Sequence, residues 1–286
     1  MDSFGKPWPT WRRHIRSEIG EAPSASSLTE IGRILRPTFF STKSEVKEAT
    51  DGQSESSNAG HAWEALVCWY LNLCLAGTRC VVIKKRSQTP EPVKQAITVT
   101  YGNTTANSES DLVAVTLPPC ELTERDDACA SIDHYNPAMQ SLLDTAVANQ
   151  IQETEVCVIQ CKTNWNENAQ IPMLWDMIYS AEKFVDDRVS VGSGAFGVTS
   201  LKSFRYAYAT LPTNKIENFK EKSVATLRVR NLSGGNYWGL PSKNGVALEL
   251  GQIFQRNFKG AIGQGWHANL ADIASNLTDK YSYFRL

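Results

Sequence analysis

The sequence predicts an α/β protein with a central mixed β-sheet flanked by helices. Short apolar runs at residues 80–84, 96–101, 112–117 and 156–162 have the length and composition of buried strands. Residues 58–73 place Trp63, Leu66, Val67 and Tyr70 at the spacing of a helix with one buried face. A further helical stretch, residues 134–152, lies between the last two of those strands and fills the interval as an insertion.

The remaining elements follow from local signals. Residues 1–40 read as helical pieces, one of them starting at Ser26-Ser27-Leu28 and stopping before Pro37. Residues 41–58 are polar and read as a loop. After the last core strand comes an Asn-rich loop leading into a helix at residues 173–184, then a strand at Phe204-Arg205-Tyr206-Ala207-Tyr208-Ala209-Thr210. Residues 224–229 read as a strand, 231–239 as turns, and 246–258 as an amphipathic helix. The expected organisation is an N-terminal helical and loop segment (1–58), a core (59–190) and a C-terminal continuation of the same domain (191–286).

Composition narrows the class. With 286 residues, 42% hydrophobic content and eight Trp, the chain has ample core for a soluble enzyme. The longest apolar region, residues 62–76, is interrupted by Glu64 and Asn72, so no membrane span is expected. The first residues lack the basic-then-apolar layout of a signal peptide, and most of the seven Cys sit inside apolar runs. Both features lead to the expectation of a reducing, cytoplasmic location without a disulfide framework. There is no C-x-x-C and the four His are scattered, so a zinc site is not expected. The glycines near residue 194 are not followed by Gly-Lys-Ser/Thr, so no nucleotide cofactor is expected. A net charge of −1 argues against binding nucleic acid by bulk charge but leaves room for a local cleft. Basic runs at Arg12-Arg13, at Lys84-Lys85-Arg86 and at Arg228 and Arg230 each read by default as solvated surface.

The chemistry concentrates in Val156-Cys157-Val158-Ile159-Gln160-Cys161-Lys162. On a strand, Gln160 and Lys162 share one face and Cys161 points to the other. Asp111, at the start of the preceding core strand, would bring a carboxylate to the same place, with Glu109 as a competing ligand two residues earlier. A carboxylate and an amide oxygen suit Mg²⁺, and a neighbouring lysine can orient water and offset developing charge. That combination points to phosphodiester cleavage. Taken singly, Asp111 also fits a turn residue, Lys162 a strand end meeting solvent, and Gln160 a structural hydrogen bond.

An Asp, a gap, then (Asp/Glu)-x-Lys on the next core strand resembles the PD-(D/E)xK nuclease superfamily, to which most type II restriction endonucleases belong. The resemblance covers residues 55–165 and departs at Gln160, where most members carry an acid and some an amide. It implies a restriction-endonuclease-like fold and Mg²⁺-dependent hydrolysis of double-stranded DNA at specific sites. It also implies that Asp111, Gln160 and the Cys161 carbonyl hold the metal and that Lys162 positions or activates the attacking water. In the superfamily a helix ahead of the core often carries a Glu that completes the site, and here that residue is Glu64; otherwise Glu64 only favours the helix N-terminal dipole. Cutting both strands of a symmetric site implies a homodimer.

Candidate DNA contacts are Asn164, Asn166 and Asn168 after the core strand, and Arg228, Arg230, Asn236 and Lys243 further on, because amides and guanidiniums suit base edges and phosphates. Three other functions stay open: a sequence-independent repair or recombination nuclease, a catalytically inactive DNA-binding protein, and, more weakly, a Cys/His hydrolase built on Cys157 or Cys161.

Overall fold

The computed structural model describes residues 7–20, 22–42, 54–101, 104–107, 110–124, 137–169, 189–240, 242–263 and 265–286. It opens with three helices, α1 (Trp8–Ile19), α2 (Ala25–Arg33) and α3 (Leu35–Phe40). Ser24 caps α2, its hydroxyl accepting from the Ser27 N–H. Pro37 does not end the helical region, as the sequence suggested. It sits in the first turn of α3, where a missing N–H leaves no bond unmade.

The long helix α4 (Ser54–Leu75) follows, then β1 (Cys80–Ile83), the short helix α5 (Glu91–Ala96), β2 (Thr98–Tyr101), β3 (Thr104–Asn107) and β4 (Leu112–Thr116). The inserted helix α6 (Pro137–Asn149) leads to β5 (Glu155–Lys162), and β6 (Val189–Val191) and β7 (Ser203–Thr210) come next. The chain closes with α7 (Val224–Leu232), β8 (Asn236–Tyr237), α8 (Leu250–Asn257) and α9 (Trp266–Asn276).

The central sheet has the order β1-β4-β5-β7-β8. The pairs β1/β4 and β4/β5 are antiparallel, whereas β5/β7 and β7/β8 are parallel, so the sheet is mixed. Helices cover both faces. On one face Cys157, Ile159 and Cys161 of β5 join a cluster with α1, α2, α4, α8 and α9 that runs from Trp11 to Phe284. On the other, Val156 and Val158 pack with Val93 of α5, Val147 of α6 and Val229 of α7.

Two assignments made from sequence change. The apolar run at residues 96–101 does not enter the central sheet. Glu91 and Pro92 start a helix through Ala96, and the strand proper pairs with β3 and β6 in a separate three-stranded sheet. Within the central sheet, both sides of β4 are already taken by β1 and β5. Residues 224–229 form helix α7 rather than a strand. Ser223 accepts from the Thr226 N–H, and the buried Ala225, Thr226 and Val229 fall on one helical face, so cap and packing override β-branched propensity. The helix expected at residues 173–184 and the candidate ligand Glu109 lie outside the described residues.

Helix α4 docks on the edge strand through a polar stripe, Glu64, Cys68 and Asn72, spaced four residues apart along one face. Asn72 accepts from the Val82 N–H at 2.9 Å and donates to the Val82 carbonyl at 2.8 Å. Its amide thus closes an edge that would otherwise offer both groups to another chain. Across the sheet the Trp63 indole N–H donates to the Ala209 carbonyl at 2.8 Å. Gly32 of α2 admits this packing because a Cβ there would collide with the Tyr70 ring hydroxyl and Leu250, and the Tyr237 hydroxyl donates to its carbonyl. Among the described residues no helix is long and apolar enough to cross a membrane.

Replacing Asn72 with Ala strips both partners from Val82. The expected loss is about 1–3 kcal/mol, read as a lower urea midpoint, together with concentration-dependent association through the opened edge. An unchanged midpoint would show that the amide contributes nothing there.

Candidate functional site

The register of β4 on β5 decides where the chemistry meets. Leu112 pairs with Ile159, so Asp111, one residue before β4, falls opposite Gln160 at the point where β4 has ended and β5 continues. Its carboxylate reaches the backbone, with Asp111 Oδ2 accepting from the Cys161 N–H at 2.7 Å. In a strand the N–H and C=O of one residue leave on the same side. The Cys161 carbonyl therefore faces the same gap as the Asp111 carboxylate.

Gln160 is fully buried, at 0% exposure, on the face it shares with Val156 and Val158. Lys162 lies half-buried on that face at the end of the strand, and among the described residues its ammonium has no hydrogen-bond or ion-pair partner. Its carbonyl accepts from the Leu211 N–H at 2.6 Å, which keeps the end of β5 clamped to β7.

Glu64 approaches from the opposite face, the one carrying Cys161. Helix α4 starts at Ser54 rather than near residue 58, so Glu64 stands roughly three turns in, beyond the reach of the N-terminal dipole. Its side chain is 13% exposed, and Glu64 Oε2 meets the Lys84 ammonium at 3.0 Å and His61 Nδ1 at 3.1 Å. Lys84 also donates to the His61 carbonyl at 2.5 Å. Burial holds the Cys161 thiol well above its usual range, and the charges of Asp111, Glu64 and Cys68 raise it further while Lys84 opposes them. Both carboxylates thus act on the residue between Gln160 and Lys162, one from the gap beside the strand and one from the helix side.

The structure gathers Asp111, the Cys161 backbone, Gln160 and Lys162 at one strand end and brings Glu64 near Cys161. It adds Lys84, which sequence reasoning left among surface charges. The signal available was its position just after a strand, beside a helix whose Glu64 repeats at the interval of Cys68 and Asn72. Past the end of β1, a recess lined by Lys84, Arg86, Lys94, Thr89, Thr98 and Ser110 gathers three cations. One of them, Lys94, is paired with Glu91 at 2.9 Å.

The oxygen donors here, two carboxylates, an amide and a carbonyl, are hard ligands that fit a Mg²⁺ retaining several waters. Among the described residues no group of three or more His, Cys, Asp or Glu forms a metal-binding cluster. With an amide at Gln160, the strand end itself offers only one carboxylate.

The residues expected to contact DNA are dispersed. Asn164 Oδ1 accepts from the Asn166 N–H at 3.0 Å, forming an Asx turn, while the Asn166 side chain is exposed. The side chain of Asn168 lies outside the described residues. Arg228 and Arg230 stand on helix α7, where a strand was expected through residue 229, with Arg230 exposed and paired with Glu221 at 3.2 Å. Asn236 is buried in β8, and its Oδ1 accepts from the Thr210 hydroxyl at 2.6 Å, so it is withdrawn from any base edge. The Lys243 ammonium donates to the carbonyls of Ile216 and Phe219 and straps that loop down.

Cys157 is likewise buried, its thiol pushed far up by desolvation, and neither it nor Cys161 has the thiolate a nucleophile needs. No protein family and no curated protein matches this chain.

The buried thiols set an alkaline limit. Burial raises Cys74 and Cys80 from 9.0 to about 12. In the unfolded chain these thiols ionise near pH 9, whereas in the fold they hold their protons, so their contribution is complete below pH 9 and is lost as pH rises toward 12. The urea midpoint should therefore fall steadily from pH 9 upward. A flat profile would contradict the burial of these groups. In the same vein, iodoacetamide at neutral pH should leave Cys157 and Cys161 unmodified in the native protein, checked by peptide mass mapping.

Proposed function

We propose that this chain is a Mg²⁺-dependent DNA endonuclease resembling the type II restriction enzymes of the PD-(D/E)xK superfamily. One observation carries the reading: the head of β4 and the end of β5 set Asp111 against Gln160-Cys161-Lys162, with the carboxylate hydrogen-bonded to the Cys161 N–H. The order of elements supports it. A helix bearing Glu64 precedes three antiparallel strands, and a fourth strand then joins in parallel beside the one bearing Lys162.

Asp111, the Cys161 carbonyl and the Gln160 amide oxygen would hold the cation, with Glu64 completing the site directly or through water. A Mg²⁺ ion held by these groups would supply Lewis-acid polarisation of a phosphate oxygen and a lowered pKa for water. Lys162 orients the attacking water and offsets the negative charge that develops on the phosphate. Lys84 holds Glu64 in place, and the cations of the neighbouring recess attract the DNA backbone. A duplex cut on both strands at a symmetric site calls for two such sites, hence a homodimer.

A second reading, DNA binding without cleavage, draws on a specific feature. Gln160 supplies no charge at the position where an acid would hold the metal most strongly, and it is fully buried.

The test is plasmid and phage DNA with Mg²⁺ or with EDTA, using wild type and Lys162→Ala. The expected result is discrete fragments only with Mg²⁺, a loss of at least about 100-fold in cleavage for the variant, and retained DNA binding. A variant that cleaves like wild type would overturn the site. A Mg²⁺-dependent smear would favour a sequence-independent nuclease, and tight binding without nicking would favour the inactive reading.

A further inference from the structure

Two segments leave the sheet side by side at the carboxyl ends of β5 and β7. One turns through the short helix Trp165–Ala169, and the other runs from Leu211, bonded to the Lys162 carbonyl, toward the start of α7. Between them lies a cleft of about 370 Å³, within the range of about 300–1,000 Å³ found for small-ligand sites. In open α/β sheets the crevice outside the carboxyl ends of the strands is the usual place for a ligand.

The lining has a definite character. Trp165, Phe219 and Ala225 form an apolar floor. Trp165 and Phe219 are held rigid by each other, with ring centroids 5.1 Å apart, and by Trp238, 5.6 and 5.3 Å away. Asn166, Asn214 and Asn218 stand around the rim. Asn214 Oδ1 is buried and, among the described residues, accepts no hydrogen bond. Lys243 fixes the wall by binding the carbonyls of Ile216 and Phe219.

Among the described residues no charged side chain lines the cleft, so neither a phosphate nor an ammonium finds a counter-charge there. A flat heterocycle suits it better, its faces against the apolar floor and its polar edge toward amides that both donate and accept. The cleft opens three residues beyond Lys162. A base taken out of the stack near the cutting point would arrive there, and enzymes that read a base in this way hold it by stacking and edge hydrogen bonds.

We propose that this cleft receives one unstacked nucleobase of the DNA strand, next to the phosphate handled by Lys162, an inference that rests on the nuclease reading for the identity of its ligand. It gives Asn214 and Asn218 a role in choosing the base, although neither belongs to the Asn-rich stretch that follows Lys162.

The experiment titrates the full chain with the fluorescent nucleoside 2-aminopurine deoxyriboside, followed by anisotropy, with the four natural deoxynucleosides and inorganic phosphate as competitors. Plasmid cleavage is run in parallel. The expected result is saturable binding, displaced by at least one natural nucleoside and not by phosphate, and weakened about tenfold in Asn214→Ala, as loss of one buried hydrogen bond implies. Asn218→Ala, at an exposed position, provides a second variant free of folding effects and should also weaken binding. Absence of saturable binding, displacement by phosphate alone, or wild-type binding in both variants would overturn the proposal. Cleavage without nucleoside binding overturns the cleft and leaves the nuclease reading standing. Nucleoside binding that depends on Asn214, without cleavage, supports the cleft and counts against the nuclease.

Discussion

The seating of α4 against the edge strand β1 is the constraint on which the rest of the molecule depends. Along one line of the helix, Glu64 reaches Lys84, the Cys68 thiol reaches the Val82 carbonyl at 3.4 Å, and Asn72 takes both polar groups of Val82. These polar contacts fix the axial position of the helix on the edge strand, and the Tyr70 hydroxyl, donating to the Leu28 carbonyl at 3.0 Å, fixes it against α2. Trp63 adds a bond to β7, so a single helix spans the sheet from its edge to its fourth strand. Slippage by one turn would remove Glu64 from the end of β1 and break the Asn72 closure together.

From that seat the geometry of the candidate site follows. The sheet sets Asp111 against the end of β5 through a ladder of five residue pairs, from Leu112/Ile159 to Thr116/Glu155. Where β4 ends, β5 continues, and its backbone would be left exposed to the gap had Asp111 not taken the Cys161 N–H. The strand's alternation then divides the neighbouring side chains: Gln160 and Lys162 stand on one face, and Cys161 turns toward Glu64 on the other. The site is thus built around the end of a strand, with groups from both faces and from the gap beside it.

The crevice beyond the same strand ends has a contrasting character. The recess at the end of β1 is lined by Lys84, Arg86 and Lys94, whereas among the described residues the cleft over Trp165 and Phe219 is lined by no charged side chain and is edged by amides.

The sequence by itself determined the elements whose signals are local. Alternation and apolar runs located β4, β5 and β7, and the spacing of Trp63, Leu66, Val67 and Tyr70 located α4. The same reading picked out Asp111, Gln160 and Lys162, because polar residues at the ends of buried strands stand out against their surroundings. Tertiary structure decided whatever depended on partners distant in the chain. The run at 96–101 went to a second sheet through pairing with β3 and β6, and residues 224–229 became a helix because a cap and a buried face outweighed propensity. Lys84 entered the site only through Glu64, twenty residues away, and Asn236 left the recognition surface because Thr210 and the sheet enclosed it. Periodicity is written residue by residue, whereas which charge meets which, and which amide remains open to a ligand, is set only when the elements pack.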